Sequence, residues 1–435
     1  MRDLLVVAIV LIGAVIALRR PWVGVMLWTW ISLMNPHRYT WGFAYDAPLA
    51  ALAAASTLLG LLLTRDRENP FKGPGPVILL LFMVWMTLSW QLGFDPAGDY
   101  PQWDKVMKID LMILVALALL KTKAHIFALA WVCTLSLGFL GAKGGVFTIL
   151  TAGNYRVWGP PFSFIADNNH FALATIMTIP LVRFLQLQLS NRWARHAMTL
   201  VMILLAASAL GSHSRGALLA ITAMAFLLWW RSHGKLLGGV VIVLVGIVLV
   251  AFMPEHWTER MSTIQTFQED RSAMGRISAW WVSWRVALDY PFGAGFNIAR
   301  PDLFNLYSPY PDLGVVVAHS IYFQVMGHHG FVGLFLFLLL WAVTWFQAGR
   351  IRKQAAKIPQ ARWCFELASM CQVSLAGYVV GGAFLNLSYF DLPYNLMVLV
   401  VLTSRWLAAK GWETEPERSP VGRLIPGLNT APAAR

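Results

Sequence analysis

Three arginines and one histidine occur where apolar stretches of the sequence meet polar connections. The arginines are Arg156 in NYRVWGPP, Arg215 in SHSRGALLA and Arg276 in GRISAWW, and the histidine is His319 in VVVAHSIYFQ. A guanidinium is a planar, permanently charged fork that suits phosphate oxygens. A neutral imidazole can accept the proton of a hydroxyl near neutral pH. These residue types therefore predict a site that binds a diphosphate and activates a hydroxyl group.

The same residues have structural interpretations that the sequence leaves open. Asp167 or Asn168 suits the first position of a helix that follows Arg156. Arg215 could reach the membrane surface from its short turn, and His319 could cap a helix without titrating.

A helical spacing of four relates Arg276, Trp280 and Trp284. Such a helix could lie at a membrane surface with its indoles in the interface, or it could present Trp280 to a sugar ring. The less strongly supported substrate contacts are Arg300, Arg285, Asn169, His170, Trp280 and Tyr307.

The composition excludes a soluble globular protein. The 435 residues are 58% hydrophobic and 13% charged, about half the usual charged share. The net charge of +13 is assigned to cytoplasmic connections rather than to nucleic-acid binding. The three cysteines lie in or beside apolar runs, so neither a disulfide framework nor a zinc site is predicted. No phosphate-binding Walker loop, dinucleotide motif or metal-ligand spacing is present, so we expect no cofactor, metal or ATP.

Apolar runs predict an all-α, polytopic membrane protein of about 12 or 13 transmembrane helices. The first run is interpreted as a retained membrane segment. The runs cover residues 4–18, 22–34, 47–64, 75–92, 108–121, 125–142, 171–187, 196–211, 216–230, 236–253, 320–347, 364–386 and 391–408.

Basic residues collect in alternate connections, which are therefore predicted to be cytoplasmic. The other connections face outward, including FDPAGDYPQWDK and the long polar excursion of residues 254–319. Twelve spans would place the N-terminus inside and thirteen would place it outside, so its side stays open.

Together these features resemble the O-antigen ligase family, which shares a domain with O-antigen polymerases and bacterial protein O-oligosaccharyltransferases. The motifs that carry the resemblance are ADNNHFALA after the Arg156 loop, SRG at residues 214–216, GRISAWW and PFGAGFN in the long outward loop, and AHS before a long apolar helix. MNPHRYTWGFAYD also resembles the subgroup of O-glycosylation ligases, which leaves the acceptor open.

The resemblance implies transfer of O-antigen polysaccharide from undecaprenyl diphosphate to lipid A-core, on the periplasmic face of the bacterial inner membrane. It implies a metal-independent, inverting glycosyltransferase with a membrane-embedded, GT-C-like fold and one long periplasmic loop. The family's essential histidine corresponds to His319. Its essential arginines correspond to Arg215 and Arg276, with Arg156 as a further candidate.

One departure concerns the acidic residue that family members often carry shortly before a Gly-x-x-Gly. Here His328 and His329 precede Gly330 and Gly333, and we assign that role to neither histidine. We expect residues 1–142 to form N-terminal transmembrane helices, residues 143–409 to form the ligase-type core, and residues 410–435 to form a disordered cytoplasmic tail.

Three other functions remain open from the sequence. An O-antigen polymerase would use a second lipid-linked chain as acceptor, and a protein O-oligosaccharyltransferase would use a protein. A transporter of lipid-linked sugar would place charges along a central path, whereas this chain concentrates them at one face. If the enzyme interpretation holds, we expect the guanidinium groups to lie within roughly 10 Å of His319 around one outward cavity.

Overall fold

The computed structural model describes residues 1–231, 235–255, 257 and 271–415, and helices are the only regular secondary structure in these residues. Each apolar run predicted to cross the membrane coincides with a helix, which confirms the all-α prediction. Residues 416–435 of the expected tail lie outside the described residues. In chain order the helices are α1 (Arg2–Arg19), α2 (Pro21–Met34), α3 (Leu49–Leu63), α4 (Pro74–Gln91), α5 (Pro96–Leu119), α6 (Lys123–Leu150), α7 (Asn168–Gln188), α8 (Arg192–Gly211), α9 (Arg215–Arg231), α10 (Lys235–Ala251), α11 (Arg271–Asp289), α12 (Pro301–Tyr307), α13 (Ile321–Ala355), α14 (Arg362–Gly382), α15 (Asp391–Ala408) and α16 (Gly411–Thr414).

The helices identify a multi-pass membrane protein. Within the described residues, six are long and apolar enough to cross a bilayer, and shorter apolar helices accompany them. The six are Pro74–Gln91, Lys123–Leu150, Asn168–Gln188, Arg192–Gly211, Ile321–Ala355 and Pro359–Gly382.

The centre of the molecule is formed by α7, α14 and α15, whose side chains are buried around most of the helix circumference. Large apolar side chains on α1 and α10 are exposed instead. Helices that are apolar all round belong in the interior of a bundle, whereas exposed apolar faces suit contact with lipid.

Helix α5 begins earlier than the sequence indicated. The connection FDPAGDYPQWDK was expected to be a loop, but Asp95 accepts a hydrogen bond from the backbone nitrogen of Gly98 and Pro96 occupies the first helical position. Both features favour a helix start. Helix α5 therefore brings polar residues of this connection to the end of the bundle that is predicted to face outward.

Hydrogen bonds fix which connections share an end of the bundle. The Asp3 carboxylate accepts from the backbone nitrogens of Gly42 and Ala44, at 3.0 and 3.1 Å. The start of α1 therefore lies at the same end as the connection between α2 and α3, which is predicted to face outward. At the opposite end, Arg405 donates to the carbonyl oxygens of Pro70 at 2.6 Å and Leu117 at 2.8 Å.

Helix α13 is broken at Gly330, in its N-terminal third. Gly330 has φ 66° and ψ −171°, which interrupts the helical geometry. The loop before α12 binds to this break, since Ala294 and Gly295 donate to the carbonyl oxygens of Gly327 and His328 at 2.9 and 3.0 Å. The indole of Trp85 donates to the carbonyl oxygen of His329 at 2.8 Å. Groups left unpaired by the break thus find partners in the protein, as a membrane segment requires.

Candidate active site

His319 lies in the connection that leads into α13, and two aromatic contacts fix this segment. The indole nitrogen of Trp280, on α11, donates to the carbonyl oxygen of Ala318 at 2.7 Å. The Trp280 ring stacks on Phe323 in the first turns of α13, with centroids 5.0 Å apart. Trp280 therefore holds the backbone next to His319.

The backbone of His319 is strained. Its φ is 46°, in the left-handed region that non-glycine residues rarely adopt. Such conformations cost about 1–3 kcal/mol and concentrate at functional sites. Buried Ala318 and Ser320 on either side, together with the Trp280 bond, hold this conformation.

Burial and positive charge lower the pKa of His319 to about 4. Burial has the largest effect, followed by the charges of Arg276 and His170, while Asp167 opposes them. The imidazole is therefore neutral at pH 7 and has a lone pair that can accept a proton. Among the predicted residues, the structure brings Arg276 and His170 into electrostatic range of His319.

Asp167 begins α7 and orients this side of the site. Its carboxylate accepts from the backbone nitrogens of Asn169, at 2.8 Å, and His170, at 3.4 Å, and from the Asn169 side chain at 2.9 Å. Burial raises the pKa of Asp167, but these hydrogen bonds outweigh it and leave the pKa below its usual value. The helix cap that the sequence allowed is present, and it also places a negative charge near His319.

The turn before Arg215 is attached to the connection between α6 and α7. The backbone nitrogen of Val157 donates to the carbonyl oxygen of Gly211 at 3.1 Å. The side chain of Asn168 donates to the carbonyl oxygen of Ser212 at 2.6 Å. Two hydrogen bonds therefore join the loop that carries Arg156 to the turn that carries Arg215.

Arg215 and His319 lie near the same end of α14. The glycine after Arg215 packs against Phe384, and an added Cβ there would meet the Phe384 Cβ at 3.3 Å. Gly382 packs against Ile321, two residues after His319. The shared helix end thus brings the two residues to the same end of the bundle.

The other cationic candidates have different surroundings. Arg156 is exposed on its connection. Arg300 pairs with Asp302 at 3.2 Å. The guanidinium of Arg285 lies 5.9 Å from the Tyr307 ring centroid.

Tyr307 takes part in the internal contacts of the outward loop. Its hydroxyl donates to the Asp289 carboxylate at 2.6 Å, and this bond raises the Tyr307 pKa to about 12. The described contacts of Tyr307 and Arg285 therefore stabilise the loop.

Sequence reasoning did not assign a role to the buried histidine pair before the α13 break. Tyr389 lies between the rings, with its hydroxyl 2.9 Å from Nδ1 of His328 and 2.7 Å from Nε2 of His329. Two adjacent histidines at membrane depth were the available signal. Their tyrosine partner is 60 residues away in the chain and could not be identified from spacing.

Two family models match the chain. A model described as O-antigen ligase matches residues 200–338, and a family of unknown function, DUF5935, matches residues 1–189. No curated protein matches. The first match contains Arg215, Arg276 and His319, whereas Arg156, Asp167 and His170 lie in the second.

Proposed function

Because this chain belongs to the O-antigen ligase family, we propose that it moves O-antigen polysaccharide from undecaprenyl diphosphate to lipid A-core, at the periplasmic face of the inner membrane. The family assignment supports glycosyl transfer with lipid-linked polysaccharide in general. The observation that carries the finer proposal is the neutral, strained His319 beside Arg276 in an outward connection.

The proposed reaction is a single displacement at the anomeric carbon. A hydroxyl oxygen of the acceptor forms the new bond to this carbon and gives its proton to His319. The bond from the carbon to the diphosphate oxygen breaks, and its electron pair leaves with undecaprenyl diphosphate. Attack from the side opposite the leaving group inverts the configuration.

Arg276 and Arg215, with Arg156, would bind the diphosphate and offset the charge that develops on it. Guanidinium groups can fulfil this role without a metal ion. The same charge links donor binding to base strength. Arg276 lowers the pKa of His319, and a bound diphosphate would offset that effect. His319 thus becomes a stronger base once the donor is in place.

His319→Ala tests the base directly. We expect transfer to be lost. The protein should stay folded in the membrane, because the substitution changes one side chain in a polar connection between helices. The measurement is product formation by purified protein in liposomes with lipid-linked donor and lipid A-core. Near-normal transfer by this variant would reject His319 as the base.

Arg276→Lys tests the diphosphate site in the same assay. Lysine keeps the charge but lacks the planar fork, so we expect about a hundredfold loss of transfer. Arg285→Lys is the matched control on the same helix, and it should keep activity. Full activity of Arg276→Lys would mean that only general electrostatics is needed.

Product analysis distinguishes the related functions. Glycosylated lipid A-core supports the proposal, whereas a lengthened carrier-linked chain would indicate a polymerase. Glycosylated protein in the same membranes would indicate a protein O-oligosaccharyltransferase. Movement of lipid-linked sugar without any new glycosidic bond would indicate a transporter.

A further inference from the structure

A polar cavity of about 270 Å³ lies beside the His319 segment at the outward end of α5. Ala318, which precedes His319, forms part of its wall. The volume is below the range typical of sites for drug-sized ligands and suits a single ring. The polar side chains that line it are Asp99, Gln102, Asn297, Gln324, His328 and Asn386.

Asn386 supplies an acceptor to this cavity. Its Oδ1 atom is buried and has no hydrogen-bond partner within the described parts of the chain. A buried amide oxygen without a partner is unfavourable. A ligand with a hydroxyl group in the cavity would satisfy it.

Gln324 is oriented by its neighbour in the fold. Its Oε1 accepts from the hydroxyl and the backbone nitrogen of Ser388, at 2.8 and 3.3 Å. The amide nitrogen of Gln324 therefore remains as a donor. The Asp99 carboxylate, which accepts from the backbone nitrogen of Phe296 at 2.6 Å, adds acceptor capacity.

A chain of hydrogen bonds sets the tautomer of His328. The Ser89 hydroxyl donates to the carbonyl oxygen of Phe292 at 2.6 Å, so its oxygen accepts from Nδ1 of His329 at 2.8 Å. Nε2 of His329 then accepts the Tyr389 proton, and the Tyr389 oxygen accepts from Nδ1 of His328. Nε2 of His328 is left unprotonated, and it can accept a hydrogen bond from a ligand.

These groups together define the ligand. Asp99, Asn386 and His328 offer acceptors, and the side-chain amide nitrogens of Gln102, Asn297 and Gln324 offer donors. Hydroxyl groups both donate and accept, so a ligand with several hydroxyl groups suits this lining. The Asp99 carboxylate disfavours a phosphate group. In the described residues, no three His, Cys, Asp or Glu side chains come together to hold a metal ion. An uncharged, hydroxyl-rich ring meets these conditions.

We propose that this cavity binds one uncharged sugar ring of a substrate. The inference rests on the proposed function and names where the sugar is held. Residues 317–318 line the cavity, and the charge of Arg276 acts on the neighbouring His319, so this segment connects the sugar site with the proposed diphosphate site.

Asn386→Ala tests the cavity with a minimal change. The Oδ1 atom that it removes has no partner in the described protein, so folding should be preserved. The matched control is Gln347→Ala, at the opposite end of the bundle, which removes another buried amide oxygen that has no partner among the described residues. The probes are methyl glucoside, methyl galactoside and N-acetylglucosamine, titrated into the full chain in detergent and followed by saturation-transfer NMR.

We expect at least one of these sugars to bind, with about fivefold weaker binding in Asn386→Ala and no change in Gln347→Ala. Unchanged binding in Asn386→Ala, or no binding of any of the sugars to the wild-type chain, would overturn the proposal. Tighter binding of glucosamine than of N-acetylglucosamine would show that the cavity selects a cation instead.

Transfer kinetics show whether the bound sugar ring belongs to the acceptor or to the donor. A raised KM for lipid A-core in Asn386→Ala assigns the cavity to the acceptor, and a raised KM for lipid-linked donor assigns it to the donor. Unchanged KM values for both would overturn the role in substrate binding. Because sugar binding needs no turnover, sugar binding by a wild-type chain that forms no new glycosidic bond would reject the proposed function while leaving the sugar site intact.

Discussion

At the scale of single residues, the surroundings of His319 determine its protonation state. Histidine normally titrates near pH 6.5, yet burial and Arg276 lower the pKa of His319 to about 4. The proposed base is therefore unprotonated over the whole physiological range. A weak base is useful here only if the substrate strengthens it, and the charge of the diphosphate would do so.

The pH dependence of transfer follows from this environment. Protonation of His319 removes activity, so kcat/KM should stay constant as the pH falls from neutral and decrease near pH 4. With donor bound, the pKa rises, so kcat should decrease at a higher pH than kcat/KM. Rates of reconstituted protein across pH 3.5–8 check this difference.

Arg285→Gln is the control for the pH profile, because its guanidinium lies over the Tyr307 ring. It should leave both profiles unchanged. A decrease of kcat/KM near pH 6.5 in the wild-type enzyme would contradict the neutral, buried state of His319.

At the scale of elements, the site depends on contacts between helices that are distant in the chain. Helix α11 contributes both Arg276 and Trp280, so the helical spacing of four places the cation and the indole on one face. The indole holds the backbone before α13 through Ala318. The spacing was visible in the sequence, but the partner of the indole was not.

Trp280→Phe should separate positioning from folding. Phenylalanine keeps the stack on Phe323 and loses the bond to Ala318. We expect kcat to fall about tenfold with little change in KM, because small displacements of a base are costly. The acid limb of kcat/KM should also move to higher pH as His319 shifts away from Arg276.

Trp284→Phe, one turn along α11, is the matched variant, since the Trp284 ring packs edge-on to Phe331. It should keep the wild-type kcat and pH profile. Equal losses in both variants would indicate a general effect of weakened packing.

The break in α13 requires glycine at position 330. The positive φ of Gly330 is unfavourable for other residues, and an added Cβ would collide with the carbonyl oxygen of Pro291. Gly330→Ala should lower the free energy of unfolding by at least about 2 kcal/mol. Thermal unfolding in detergent measures this change.

Gly138→Ala provides the contrast in that experiment. Gly138 lies in α6, and an added Cβ would meet no atom within 4 Å. This substitution should stabilise the protein by up to about 1 kcal/mol. A Gly330→Ala protein as stable as wild type would mean that the break can close into regular helix.

At the scale of the whole molecule, hydrogen bonds determine which connections share an end. Asp3 joins the start of α1 to residues 42–44, and Arg405 joins the end of α15 to the α3–α4 connection at the other end. The sequence indicated two sets of connections but left the N-terminus undecided. These bonds place it with the set that is poor in lysine and arginine.

Cysteine labelling tests this topology. The native cysteines are buried, so background labelling should be low. A membrane-impermeant maleimide should label Trp41→Cys in intact spheroplasts, because Trp41 is 88% exposed in the outward set. Arg67→Cys, in the basic set, should be labelled only after permeabilisation. Labelling with the opposite sidedness would mean that the protein has the opposite orientation in the membrane, with His319 on the cytoplasmic side.

The sequence by itself determined the helical class, the positions of the apolar helices and the candidate residues Arg276 and His319. These features follow from local hydrophobicity and residue chemistry, which need no knowledge of distant partners. It also allowed the cap formed by Asp167, because capping involves residues two or three positions apart.

Only the tertiary structure decided what surrounds those residues. The lowered pKa of His319 requires burial by several helices, and the polar cavity requires Asp99, His328 and Asn386 to meet from α5, α13 and the connection before α15. Burial and hydrogen bonding between distant segments depend on packing in three dimensions, and periodicity along one chain does not encode them.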